Sequence, residues 1–335
     1  MTTTDVPATH AAQLLELSCG HVLSRALHVV AELGVADLLG DEPCSATHLA
    51  EAGGWDADAL HRVLRLLESH GIFRLDDHRR WLHTAQSRRL RSDHSTSQRG
   101  FVRMNGTPFS WESFTSLQHS LETGLPGISR LDPRGPWAYL EAHPDQAAVF
   151  QQAMADKSRA DVAAALEVHD FTGHRRVVDV AGGSGHLVQS IVAAHPETEG
   201  VLFELPEVVQ RLAPPKDVEV VAGDFFRDAL PVADCYTLMN IVHDWDDNHA
   251  AAILRAVAAA GTPRATVLLL EAVLPECPDD HWAKTLDVMM LALTGGRERT
   301  LDQYGALLAD AGLTLRQVTP TATSFSVIEA SVHSA

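Results

Sequence analysis

The chain has 335 residues, 45% of them hydrophobic and 21% charged, an ordinary balance for a globular protein long enough to hold two domains. A formal net charge of −18 argues against nucleic acid or an anionic membrane as partner, and no apolar run approaches the roughly 18 residues of a membrane span. The four cysteines (Cys19, Cys44, Cys235, Cys277) are scattered, and the start MTTTDVPATH lacks the pattern of a signal peptide, so the expectation is a cytoplasmic protein without a disulfide framework or thiolate metal site.

The first hundred residues read as helical apart from one hairpin. Leu14 to Leu33 is apolar nearly all round, which asks for burial on more than one side; a second subunit can supply it. Ser45 fits the N-cap of a short helix through Ala52, closed by Gly53 and Gly54. Asp56 fits the cap of another, with Leu60, Val63, Leu64 and Leu67 on one face and Gly71 ending it. Ile72–Leu75, a turn at Asp76–Asp77 and Trp81–His83 then read as a hairpin, completing a winged helix. Winged helices often bind DNA, so a cofactor-sensing regulator is a rival class. Residues 1–100 carry ten Lys/Arg against thirteen Asp/Glu, which leaves no basic face; arginines cluster only around the wing, at Arg79, Arg80, Arg88, Arg89 and Arg91.

Phe101 to Pro144 reads as a linker with helical pieces, interrupted by glycines and prolines, and a long helix is predicted from Pro144 to Val168. From Arg175 onward strands and helices alternate, which implies a parallel sheet. Predicted strands are Val177–Val180, Val201–Glu204, Val218–Val221, Ala233–Val242 and Ala265–Glu271, with Leu313–Thr319 and Ser324–Ile328 as an antiparallel edge. The chain thus divides into regions 1–100, 101–170 and 171–335.

The chemistry concentrates at the ends of these strands, where open α/β sheets bind their ligands. VVDVAGGSGHLVQSIVAAHPETEGVLFELP (177–206) is a strand, a glycine-rich turn, a helix and a second strand ending on Glu204. The pattern suits a nucleoside-bearing cofactor, with the glycines allowing close backbone approach and Glu204 reaching both ribose hydroxyls. A nicotinamide dinucleotide requires G-x-G-x-x-G, and no glycine follows Gly185 at that spacing. Asp179, at the end of the first strand, suits a cofactor with an α-amino group, as S-adenosylmethionine has; Glu204 does not discriminate. Asp224 and Phe225 stand at the third strand's tip, where they fit either an adenine contact or a turn aspartate beside a core phenylalanine. His243 follows the fourth strand and fits either a base facing the crevice or a helix-start histidine. No H-E-x-x-H or comparable ligand spacing occurs among the 19 histidines, so no metal is expected.

The motifs VVDVAGGSG, FELP, GDFF, IVHDWDD, LLLEAVLP and GGRERT stand in one order. With them the chain resembles, from about Leu14 to Glu329, the S-adenosylmethionine-dependent O-methyltransferases of the caffeic acid and bacterial natural-product type. The resemblance implies a Rossmann-like, seven-stranded α/β methyltransferase sheet. It also implies an N-terminal winged-helix domain that forms a homodimer and covers the active site. It implies S-adenosylmethionine as donor and an aromatic small molecule as acceptor in secondary metabolism. His243 matches the base, which a phenol with a pKa of about 10 needs, and Glu271 and Glu298 match acids that fix its tautomer. Cofactor contacts fall on Ala181, Gly182, Gly183, Glu204, Leu205, Asp224, Phe225, Met239 and Asn240, with Ser158, in FQQAMADKS, near the cofactor carboxylate. Substrate-pocket positions fall on Phe150, Met154, Met290 and Thr294, which fit plain core packing equally well, and on Asp244. Three residues depart from the plant pattern. Glu204 replaces the commoner aspartate, Met239 replaces a lysine on the adenine side, and Ala181 replaces the first glycine, tolerable if its φ is negative. The loop before GGRERT is also one residue shorter. N-methylation of a heteroaromatic ring, which needs no base, is the nearest alternative reaction.

Overall fold

A computed structural model describes residues 10–211 and 213–333; the stretch Met1–Thr9 read above for a signal peptide lies outside them. Contacts divide the chain into two compact units, Met1–Thr107 and Pro108–Ala335, so the helical middle falls mostly with the sheet.

In the first unit the expected single helix over Leu14–Leu33 is two, His10–Ser18 and Gly20–Glu32, broken at Cys19. The reason is local. The Ser18 hydroxyl donates to the Leu15 carbonyl at 2.7 Å, and Gly20, a poor helix former, follows. Leu14, Leu15, Leu17 and Val22 are exposed. Ser45 caps Ala46–Gly53 by accepting from the His48 N–H, and Asp56 caps Ala57–Glu68 by accepting from Ala59 N–H. The hairpin is shorter than read, Arg74–Leu75 against Trp81–Leu82, because the Asp76 carboxylate takes the His78 and Arg80 N–H groups into the turn. Leu49, Leu64, Leu67, Phe73 and Trp81 form its core.

The second unit is built on seven strands: β1 (Arg176–Val180), β2 (Glu199–Glu204), β3 (Val218–Ala222), β4 (Ala233–Met239), β5 (Gly261–Glu271), β6 (Leu313–Pro320) and β7 (Ser326–Val332). They lie in the order β3-β2-β1-β4-β5-β7-β6, parallel through β5, with β7 antiparallel to both β5 and β6. Central strands are covered on both faces, which is why Val177, Val178, Val180, Val201 and Leu202 form near-continuous apolar runs. Helix α1 (Pro144–Val168) has the predicted bounds; α2 (His186–Ala194) follows β1 and α3 (Asp247–Ala260) follows β4. Helix α4 (Trp282–Leu293) and α5 (Leu301–Asp310, capped by Thr300) follow β5. No described helix is long and apolar enough to cross a membrane.

Two further expectations need correction. The fourth strand was read to Val242 but stops at Met239; Asn240 turns to φ +56 and a 3-10 turn, Val242–Asp244, carries His243. The turn forms because the Glu271 carboxylate accepts from both the Ile241 and Val242 N–H groups, at 3.0 and 2.8 Å. Ala181, expected to be tolerable at negative φ, sits at φ +55. That is left-handed backbone, which costs an alanine on the order of 1–2 kcal/mol. Ala181→Gly should therefore raise the unfolding free energy by roughly 0.5–1 kcal/mol, the strain less glycine's extra unfolded-state entropy. Urea denaturation of the two proteins checks this, and equal or lower stability in the variant would contradict it.

Candidate active site

The glycine loop between β1 and α2 is shaped by contact and backbone sign. A Cβ on Gly182 would lie 2.2 Å from Asp179 Oδ2. Gly183, at φ +59, donates its N–H to Glu204 Oε2 at 2.8 Å, and Glu204 Oε1 accepts from Leu205 N–H at 2.7 Å. Both oxygens of Glu204 are thus oriented by main chain, with lone pairs left for a ligand. Burial pushes its pKa up. Asp179 is fully enclosed; Oδ1 accepts from the Thr237 hydroxyl at 2.8 Å, while Oδ2 has no hydrogen-bond partner. Burial pushes it up to about 7. An orphaned buried oxygen beside a cradle that a Cβ would fill fits a bound group with a donor to offer, as an α-ammonium has.

Around this loop lie the other expected cofactor residues, joined by His186, Phe226 and Trp245, which the sequence reading did not single out. Ser158 Oγ lies 3.4 Å from His186 Nδ1, which Ser184 Oγ also approaches at 3.2 Å. Asp224 Oδ1 accepts from Phe226 N–H and its other oxygen pairs with Arg227, so it makes a turn as well as standing at the β3 tip. Phe225, Phe226 and Trp245 pack edge-to-face, with centroids 4.7–6.0 Å apart. Trp245 stands in the quoted IVHDWDD motif, the signal that could have found it. Met239 is half-buried at the end of β4, and the Asn240 amide oxygen accepts from Lys157 Nζ at 3.2 Å.

His243 is buried, and its ring orientation is fixed by acids. Nδ1 is 2.7 Å from Glu298 Oε1 and 3.6 Å from Glu271 Oε2; Nε2 faces Asp244 Oδ1 at 3.9 Å. The three expected residues are therefore together, with Asp244 beside them. Burial pushes Glu271 and Glu298 above the usual carboxylate range and Asp244 up to about 7. His243, Glu271 and Glu298 offer ligand atoms within 4.8 Å of one another. The 2.7 Å pair is nevertheless in hydrogen-bond contact, closer than the roughly 3 Å that two ligands at metal bonds of about 2.0–2.1 Å keep between them.

The GGRERT segment holds this turn. A Cβ on Gly296 would lie 1.9 Å from the His243 carbonyl, to which Arg297 N–H donates at 2.8 Å. Arg299, 1% exposed, donates to the Val242 and Trp245 carbonyls at 3.0 and 2.9 Å and to Asp247. Neither Gly296 nor Arg299 was singled out by sequence, since their partners lie some fifty residues away. Of the expected substrate positions, Phe150 meets Phe109 and Trp137 edge-on, at 5.9 and 6.0 Å. Met154 is half-buried, Met290 is buried, and Thr294 donates to the Met290 carbonyl at the end of α4.

The model of the O-methyltransferase domain matches residues 117–314, and that of the O-methyltransferase dimerisation domain matches residues 15–93. The chain is 34% identical over 324 residues to phenazine O-methyltransferase PhzM of Lysobacter antibioticus, covering 95% of each. Among solved structures it is similar to CalO1, a methyltransferase in calicheamicin biosynthesis in its S-adenosylhomocysteine-bound form (TM-score 0.86, 33% identity, 99% and 100% of the two chains). It is also similar to NcsB1, an O-methyltransferase from neocarzinostatin biosynthesis in complex with S-adenosylhomocysteine and 1,4-dihydroxy-2-naphthoic acid (TM-score 0.74, 33% identity, 92% and 95%).

The buried Asp179 generates a stability prediction. Its pKa in the folded chain is above its ordinary 3.8, so the folded state binds its proton more tightly than the unfolded state. Its contribution is lost as pH rises from about 4 to about 7 and is level above that, by at most about 4 kcal/mol. The stability of Asp179→Asn relative to the parent chain should climb across that window and flatten beyond it. A thermal-shift series in pH would contradict this if the difference stayed constant.

Proposed function

The chain belongs to the S-adenosylmethionine-dependent O-methyltransferases, and we propose that it methylates a phenolic hydroxyl of an aromatic natural product, with His243 as base. One observation carries the reading: a buried imidazole whose Nδ1 is held at 2.7 Å by Glu298 with Glu271 behind it, leaving Nε2 as the nitrogen that can take a proton. S-adenosylmethionine, when bound, supplies an electrophilic methyl on a sulfonium. Ala181, Gly182, Gly183, Glu204 and Leu205 would hold its ribose and amino-acid end, with Ser158 and His186 at the carboxylate. Asp224, Phe225, Met239, Asn240 and Trp245 would hold the adenine side.

The protein's task is then positioning and proton removal. Placing the hydroxyl in line with the breaking C–S bond turns a bimolecular step into a nearly unimolecular one. His243 Nε2 takes the phenolic proton, and the imidazolium finds countercharge in Glu298 and Glu271. A positioned base of this kind is worth about 10² to 10⁴ in rate. Phe150, Met154, Met290, Thr294 and Asp244 would line the acceptor side, and no metal takes part. A nitrogen lone pair would need neither the base nor its two acids, so their presence favours oxygen over N-methylation. The working form is a cytoplasmic homodimer, in which the exposed Leu14, Leu15 and Leu17 face meets a second copy. The acidic chain has no nucleic-acid partner.

His243→Ala should lower turnover at least a hundredfold on a phenolic acceptor while leaving affinity for S-adenosylhomocysteine within a few-fold. Calorimetry and a demethylated-donor assay read both, and full activity in the variant would remove His243 from the base role.

A further inference from the structure

Lys157, in the middle of α1, is half-buried, and the reaction just described makes no use of it. Its side chain is 17% exposed. Nζ lies 3.2 Å from Asn240 Oδ1, 3.5 Å from Asp161 Oδ2 and 3.8 Å from the centroid of the Phe325 ring. These partners locate the ammonium. Asn240 directly follows β4 and Phe325 directly precedes β7, and β5 lies between those two strands in the sheet. Glu271 ends β5 and is paired with Ser326, the neighbour of Phe325. The ammonium therefore spans the tip of β5, reaching from Asn240, on the donor's adenine side, to Phe325 beside β7. A donor molecule's amino-acid end belongs over Asp179 and the glycine loop after β1. From β5 onward the ammonium lies toward the acceptor-side acids, within electrostatic reach of Glu271, Glu298 and Asp244.

A buried ammonium is costly unless countercharge and hydrogen bonds compensate it. Here the compensation is thin. Asp161 stands at the limit of hydrogen-bond distance, Asn240 is neutral, and Phe325 offers only a ring face. Burial pulls the Lys157 pKa below its ordinary value, opposed first by Asp161 and then by Glu271 and Glu298. Asp244, pushed up to about 7 by burial, is a weak countercharge near neutral pH. A cation so placed has capacity for one more anionic partner, delivered from the acceptor side.

We propose that Lys157 receives an anionic oxygen of the acceptor and thereby selects acidic aromatic acceptors. The inference rests on the O-methyltransferase reading of the same site and extends it to substrate class. The oxygen has two sources of one chemistry: a ring carboxylate near the reacting hydroxyl, or the ionised hydroxyl itself.

The two sources are separable with Lys157→Met, which keeps the side-chain length without the charge. Parent and variant, loaded with S-adenosylhomocysteine, are titrated calorimetrically with 3-hydroxy-2-naphthoate and with 2-naphthol, and methyl transfer to the same pair is measured. For a ring carboxylate, the parent binds the naphthoate at least tenfold more tightly than the naphthol, and the variant loses that preference while its naphthol affinity stays within threefold. For the ionised hydroxyl, the variant loses tenfold or more in kcat/KM on both probes, and the loss shrinks across naphthols of increasing acidity. Binding and turnover by the variant within threefold of the parent on both probes would overturn the proposal. So would a tenfold loss of S-adenosylhomocysteine affinity with acceptor binding unchanged, which would assign Lys157 to the donor. Lys157→Arg, which keeps the charge, should retain the parent's behaviour and covers the case in which the methionine variant does not fold. The methyltransferase reading fails separately, if the parent chain transfers no methyl to any oxygen or if His243→Ala remains fully active.

Discussion

The site depends on a buried contact between two distant segments, the 3-10 turn Val242–Asp244 and the GGRERT segment. The turn leaves main-chain groups without partners, as every helix end does. Arg299 takes the Val242 carbonyl and that of Trp245 just beyond the turn, Arg297 takes the His243 carbonyl, and Glu271 takes the N–H groups of Ile241 and Val242 at its start. Gly296 makes the approach possible, since any side chain there would collide with the His243 carbonyl. A buried guanidinium is unfavourable by itself. Here each of its donors meets a carbonyl or Asp247, and the arrangement converts that cost into a fixed backbone. The backbone fixes where the imidazole starts, and Glu298 fixes which way its ring turns.

The same enclosure sets the electrostatics. Asp244, Glu271 and Glu298 crowd around one imidazole, and burial raises all three. Glu271 and Glu298 each keep one oxygen without a hydrogen-bond partner. Acids held this way are poorly stabilised while the imidazole is neutral and gain from a positive charge arriving beside them.

Much of this architecture was legible in the sequence, because its causes are local. Ser45 and Asp56 cap the helices they precede, and the β1–α2–β2 unit follows from a β-branched run, glycines and an apolar period. The errors also share a cause. Ile241 and Val242 continue the apolar run of β4, so periodicity extended the strand; what stops it is a carboxylate thirty residues downstream. The apolar surround of Leu14–Leu33 likewise concealed a break made by a serine hydroxyl. Trp245, His186, Arg299 and Lys157 escaped because their importance lies in partners from other segments, which spacing along one element does not reveal. Ala181 shows the opposite limit: the motif locates the residue, while its left-handed backbone is set by the loop around it.

Glu204 carries a consequence for the life of the enzyme. Its two oxygens are aimed by Gly183 and Leu205 before any ligand arrives, so a ribose would meet a site that needs little reorganisation. Such preorganisation favours tight association. Such a grip would also be blind to the methyl group, because donor and demethylated product share the same sugar, and binding that is equal for both does nothing for the chemical step. A spent nucleoside would therefore compete with fresh donor for the crevice, and sustained throughput would depend on another activity that clears it.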